Sequence, residues 1–271
     1  VPNLRNKIIE KFVKIIFIRV ISSFRILIGY YYKFLIKVDN PKTKLSEKFK
    51  YKINDLNSIK DKYEKDGWCF IENFLSEETY KTIKDNWPKD FYFKPRFSPV
   101  RFYRIGFVWK KKLNGEFSKH QNEDICFKNN KALSDFYNYL NSTECSKVFS
   151  LLNNENQSMN CISIVSSMAN YKSFLAPHKD GIGNKIDDSG ILNCIYFIDG
   201  NSNNSEFSGA TGIFEDLVFG KEIFIPKNIK NTALIYNSKN DFFHGFKVMK
   251  KGCHRKAITF QMVKNSFFKD Y

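Results

Sequence analysis

Only four histidines occur in the 271 residues, and two of them stand in company that can bind a metal. In His178-Lys179-Asp180 an imidazole and a carboxylate are two positions apart. Successive side chains on a strand alternate between faces, so both project from one face and can reach a single ion. His244 follows 64 residues after Asp180, in Asp241-Phe242-Phe243-His244-Gly245. Two imidazoles and one carboxylate can occupy one face of an octahedral ion and leave three positions for exchangeable ligands. An isolated H-x-D pair is a common surface accident, so its weight rests on the surrounding sequence. His120 and His254 have no partner at strand spacing and are read as non-ligands.

Such a triad needs strands to hold it and helices to cover them. Residues 59–87 read as helix, strand and helix. The first helix closes at Asp66-Gly67, where glycine supplies a left-handed cap. A strand follows at Trp68–Ile71. Ser76 caps the second helix, with Glu77 and Glu78 in its favourable first turn. Beyond His244 the pattern alternates: Ile258, Phe260 and Met262 share one strand face, and Arg255, Ala257, Thr259 and Gln261 the other. Residues 91–112 interleave aromatics with cations, as a strand pair with one aromatic face buried or as a surface for an anionic or sugar-bearing substrate. Residues 181–190 and 200–209, rich in Gly, Asn, Ser and Asp, read as lid loops over the site.

Several ordered segments resemble the Fe(II)/2-oxoglutarate-dependent dioxygenase superfamily, in its prolyl-hydroxylase-like and phytanoyl-CoA-hydroxylase-like branches. Asp66-Gly67-Trp68 through Ser76-Glu77-Glu78 is similar to the family's entry segment. Tyr171 through Asp180 is similar to its "Y-x-x-G-x-x-L-x-x-H-x-D" run, without the usual glycine. Leu192–Asp199, Ser208–Phe214, Pro226 and Thr232–Ser238 resemble the stretches that follow in order, ending in His244-Gly245. The resemblance spans roughly residues 60–263.

The resemblance implies a mainly β fold with flanking helices (α+β), built on a double-stranded β-helix, the eight-stranded jelly-roll core shared with cupins. It implies Fe(II) on His178, Asp180 and His244, which act as metal ligands and catalytic centre. It implies 2-oxoglutarate as co-substrate, with its 5-carboxylate on Arg255, eleven residues past His244; Lys256 is the rival cation. Tyr171, Asn193 and Thr259 are the implied supporting hydrogen-bonders. With O2 as oxidant and ascorbate as supporting reductant, the expected reaction is C–H hydroxylation or desaturation with release of succinate and CO2. Related halogenases have Gly or Ala at the position of Asp180, so its carboxylate points to hydroxylation. The expected substrate is a small metabolite, a lipid or sugar precursor, or a peptidyl residue. Nucleic acid is disfavoured: the stretch from Arg255 to Gln261 lacks the Asn and second Arg of the nucleic-acid demethylases.

Composition agrees with a globular chain, since 42% hydrophobic residues exclude collagen-like and wholly disordered classes. Lys and Arg outnumber Asp and Glu by 44 to 28, a net charge of +16. Thirteen cations against three acids place +10 of it in residues 1–52. We divide the chain there, into a basic N-terminal helical segment and linker (1–52) and a dioxygenase domain (53–271). In residues 5–37, Lys7, Lys11, Lys14 and Arg25 fall on one side of a helical wheel. Such a helix either lies on an anionic membrane surface or packs its apolar side on the main domain. Its charge-free runs are far short of the ~20 residues that span a bilayer, and no signal-peptide pattern is present. Six cysteines without a CxxC pair argue against a disulfide framework and suit a reducing, cytoplasmic setting, to which the basic helix adds the expectation of peripheral membrane contact. The alternative is a non-catalytic β-helix module that docks to membrane or protein through the basic helix.

Overall fold

The computed structural model describes residues 50–89, 93–110, 130–152, 158–180, 191–201, 209–217, 221–237 and 242–264. All lie within the compact unit Lys42–Tyr271. The expected basic helix of residues 5–37, most of its linker, His120, the whole of the first lid loop (181–190) and most of the second (200–209) lie outside the described residues. Tyr51, which the sequence reading assigns to the linker, already belongs to the packed body. Its hydroxyl donates to the Ala132 carbonyl at 2.6 Å and its ring lies 5.8 Å from that of Phe136.

Four helices are described: α1 (Lys60–Asp66), α2 (Glu77–Asp85), α3 (Lys131–Leu140) and α4 (Thr143–Leu152). Gly67 ends α1 at φ 71°, and its N–H donates to the Tyr63 carbonyl, as the left-handed cap requires. Ser76 Oγ accepts from the Thr79 N–H at the start of α2. No helix among the described residues is long and apolar enough to cross a membrane.

The strands are β1 (Trp68–Ile71), β2 (Lys94–Ser98), β3 (Arg101–Lys110), β4 (Met159–Ala169), β5 (Phe174–His178), β6 (Leu192–Gly200), β7 (Gly212–Phe214), β8 (Glu222–Phe224), β9 (Thr232–Asn237), β10 (Phe243–Phe246) and β11 (Arg255–Lys264). They form one antiparallel sheet in the order β1-β9-β6-β11-β4-β3-β5-β10-β7-β8, with β2 paired to β3. Strands β4 to β11 supply the eight expected of a jelly roll, split into β9-β6-β11-β4 and β5-β10-β7-β8. The sheet has eleven strands because β1 extends one edge and the β2–β3 hairpin joins the halves. β3 pairs with β4 over one part of its length and with β5 through Arg101 and Phe102. At the bend Gly106 lets the backbone pass close to Ser166 and Phe93, where a Cβ would come within 2.5 Å of the Ser166 Oγ.

Alternation sorts each strand. On β11, Ile258, Phe260 and Met262 join Cys194 and Tyr196 of β6 in a core that also takes Leu133 and Phe136 of α3 and Phe149 of α4. Burying each such large side chain contributes roughly 1.5–3 kcal/mol. The opposite face of the same strand carries Arg255, Thr259 and Gln261 into a cavity. Helices thus cover one face of the sheet, and its curl encloses the other.

Candidate metal centre and cavity

His178 closes β5 and His244 lies on β10; the two are direct cross-strand partners in the antiparallel register. Their rings stand 4.2 Å apart between centroids. Asp180, two residues past His178, completes the group. One ligand atom from each of the three lies within 4.8 Å of the others. His178 Nε2 is 3.5 Å from one Asp180 oxygen, and His244 Nε2 is 3.4 Å from the other. The strands meet this closely because residue 245 is glycine. A Cβ there would stand 2.5 Å from the Leu175 carbonyl oxygen and 2.9 Å from the Pro177 nitrogen.

Neighbours fix the orientation of the donors. His178 Nδ1 lies 3.0 Å from the Ala176 carbonyl, which selects the tautomer that donates from Nδ1 and leaves the Nε2 lone pair facing Asp180. The Tyr236 hydroxyl donates to Asp180 Oδ2 at 2.8 Å, and its ring lies 4.8 Å from that of His244. Burial pushes the Asp180 carboxyl upward, but His244, His178 and the Tyr236 hydroxyl outweigh it and hold it well below the usual range. Burial pulls His244 down to about 4, against the opposing pull of Asp180. At neutral pH the group is therefore a carboxylate beside a neutral His244, the protonation state in which oxygen and imidazole nitrogen bind a cation.

Arg255 opens β11 at 5% exposure. Its NH1 donates to Thr211 Oγ1 at 3.0 Å and to the Gly209 carbonyl at 3.3 Å. Gly209 sits at φ 71°, a left-handed conformation suited to glycine. The guanidinium lies 4.7 Å from the ring centroid of Phe246 and 5.5 Å from that of Phe197. Burial lowers its pKa to about 10, so it stays charged at neutral pH. Its Nε has no hydrogen-bond partner, and no carboxylate among the described residues pairs with it. A buried guanidinium left so costs several kcal/mol unless an anion arrives.

His178, Asp180, His244 and Arg255 line one cavity of about 200 Å³. Thr259 joins them, and Lys256 does not. Two other expected residues stand apart. Tyr171 is 53% exposed on a turn, under the Lys172 ammonium, and does not line the cavity. Lys172 adopts φ 68°, and the chain turns there, which carries the Tyr171 ring outward. Asn193 is fully buried between its cross-strand partners Gln261 and Tyr236 and does not line the cavity; its Oδ1 accepts from Gln261 Nε2 at 2.9 Å. Gln261 is the one that faces the cavity. His254 Nε2 lies 3.8 Å from an Asp199 oxygen, away from the cavity.

Sequence reasoning did not single out Thr211, Tyr236, Gln261, Tyr103, Arg96 or Arg101, all of which line the cavity. Thr211 and Tyr236 lie inside segments already noted for resemblance. Gln261 follows from the alternation of β11. The hairpin residues lie in the stretch 91–112, one reading of which is a substrate surface, and the way β3 bridges the two halves brings them to the cavity.

No protein-family model and no curated protein matches the chain. Solved structures do. A prolyl-4-hydroxylase from Pseudomonas putida is similar at 14% identity and a TM-score of 0.52, covering 78% of this chain and 99% of its own. An oxidoreductase of the 2OG-Fe(II) oxygenase family from Burkholderia pseudomallei is similar at 10% identity and a TM-score of 0.55, covering 79% and 94%. AviO1 from Streptomyces viridochromogenes gives 9% identity and a TM-score of 0.50 over 78% and 96%. The chain has the jelly-roll fold of the 2OG-Fe(II) oxygenases.

Proposed function

We propose that this chain is an Fe(II)- and 2-oxoglutarate-dependent oxygenase of the hydroxylase type. The observation that carries the reading is the pairing, in one cavity, of the His178–Asp180–His244 cluster with the buried, carboxylate-free guanidinium of Arg255. Two imidazoles and one carboxylate fit iron(II), which favours mixed nitrogen and oxygen donors with open positions. Arg255 fits the far carboxylate of 2-oxoglutarate, because a guanidinium grips a carboxylate through two parallel hydrogen bonds.

When bound, iron with 2-oxoglutarate and O2 supplies the oxidising power that hydroxylates a C–H bond, with succinate and CO2 as co-products. The chain's own residues do the rest. His178, Asp180 and His244 hold the metal, and the Ala176 carbonyl and the Tyr236 hydroxyl fix the angles of two of them. Thr211 positions Arg255, and Thr259 and Gln261 offer hydrogen bonds from the same wall. Asn193 acts through Gln261 by holding its amide. Ascorbate serves as reductant in this reading. The substrate is a small molecule or a peptidyl side chain. The oxygenase domain takes in the packed residues from Tyr51 on, and the segment before it is a basic appendage whose +9 charge over residues 1–50 suits an anionic membrane surface. The non-catalytic docking alternative gains no support, because all three donors and Arg255 are present.

The test is succinate formation from 2-oxoglutarate by the full chain given Fe(II), ascorbate and O2, with 2-oxoglutarate binding measured in parallel. Succinate that disappears in His178→Ala supports the reading. A wild type that neither forms succinate nor binds 2-oxoglutarate overturns it.

A further inference from the structure

Two cations of the cavity wall have no task in the reaction above. Arg96 of β2 and Arg101 of β3 line it beside Tyr103. The hairpin register pairs Arg96 with Tyr103 and Ser98 with Arg101, so all four side chains share one face. Arg101 also stands opposite Leu175 of β5, three residues before His178 and itself in the cavity wall. Neither guanidinium meets a carboxylate among the described residues, and Asp180 is the one acid in the wall.

A charge count follows, resting on the function proposed above. Iron(II) and the 2-oxoglutarate dianion cancel, as do Asp180 and Arg255. Among the described residues, Arg96 and Arg101 remain, two positive charges on neighbouring strands at the β3–β5 side of the cavity. Guanidiniums are suited to oxyanions because their planar donors match two oxygens at once.

We propose that the substrate is a small molecule carrying a phosphate monoester, held through that group by Arg96 and Arg101 while its C–H bond faces the metal centre. A phosphate monoester is close to a dianion at neutral pH, which matches the residual charge of the cavity.

The test uses the full chain loaded with Mn(II) and saturating 2-oxoglutarate, so that Arg255 is occupied. Glycerol 3-phosphate and glycerol are titrated calorimetrically as probes, against wild type and Arg96→Gln/Arg101→Gln. Arg96 is exposed and Arg101 half-buried, so the double variant is expected to fold and to keep its affinity for Mn(II) and 2-oxoglutarate. The proposal predicts binding of glycerol 3-phosphate but not glycerol, weakened about tenfold or more in the double variant. Glycerol 3-phosphate binding that is absent, or unchanged in the variant, overturns the proposal and leaves the oxygenase reading standing. A wild type that fails to take up Mn(II) and 2-oxoglutarate overturns both.

Discussion

Asn231, just before β9, and Arg255, at the start of β11, are both buried polar side chains, and they are treated in opposite ways. Asn231 is fully used. Its Oδ1 accepts from the Leu75 N–H at 3.1 Å and the Tyr196 hydroxyl at 3.2 Å, and its Nδ2 donates to the Leu75 carbonyl at 2.9 Å. Its backbone sits at φ 53°, which asparagine tolerates better than most residues. It ties the loop after β1 to β6 and the start of β9. Arg255 has two hydrogen bonds from one nitrogen, a partnerless Nε and no carboxylate among the described residues. A buried polar group satisfied by the chain stabilises the fold. One left unsatisfied at a cavity wall is held ready for a ligand.

Asn231→Ala should break the first half of the comparison most severely. It strands a buried N–H and a tyrosine hydroxyl, leaves the Leu75 carbonyl only a 3.5 Å bond from Asn54 Nδ2, and puts alanine at a strained φ. We expect a loss of about 3 kcal/mol or more in unfolding free energy, measured by denaturant titration. Activity per folded molecule should be unchanged. An unaltered midpoint would mean that the Asn231 bonds contribute nothing.

Acid should distinguish the two regions next. His244 is held down to about 4 by burial, against an ordinary value near 6.5. Between those values the unfolded chain binds the proton and the folded chain does not, so stability rises with pH. The depressed Asp180 carboxyl acts in the same direction at still lower pH. The metal-free protein should therefore keep this stability above pH ~6.5 and lose up to about 3 kcal/mol of it as pH falls towards 4. His244→Leu should flatten that slope, whereas a conservative change at the core of the helical face should not. A slope that persists in His244→Leu would assign it elsewhere.

Tyr236→Phe is the finer probe. It removes one hydrogen bond to Asp180 and keeps the ring beside His244. Loss of such a supporting partner typically lowers metal affinity by about 10–100-fold, and the lower end is expected here because both histidines remain. Mn(II) titration of the two proteins measures it. Equal affinities would show that the hydroxyl does not orient the carboxylate.

The same contrast explains what could be read from the sequence. Gly67, Ser76 and the alternation of β11 are local: a cap needs one residue and a strand face needs every second one. His178 and Asp180 were legible for the same reason, and His244 through its order in the chain. Tyr171 stands outside the cavity lining, exposed beside the turn at Lys172, and no local pattern in the sequence marks that turn. Asn193 does not line the cavity itself but bonds Gln261, its cross-strand partner, which does. Arg96, Arg101 and Tyr103 lie in the stretch 91–112, read either as a strand pair or as a surface for an anionic or sugar-bearing substrate, and the closure of the sheet through β3 brings them to the cavity. Pairing between strands distant in sequence leaves no periodic trace in either strand.

The central claim is that Arg255 awaits the far carboxylate of a metal-bound 2-oxoglutarate. The most direct measurement is calorimetric titration of 2-oxoglutarate into the full chain with and without Mn(II), for wild type and Arg255→Met. The account predicts that wild type binds only with metal present. It also predicts that Arg255→Met weakens binding about 100-fold while Mn(II) affinity is kept and thermal stability is equal or higher, since an unpaired buried charge is gone. Binding that is as tight without metal, or as tight in Arg255→Met, would contradict it.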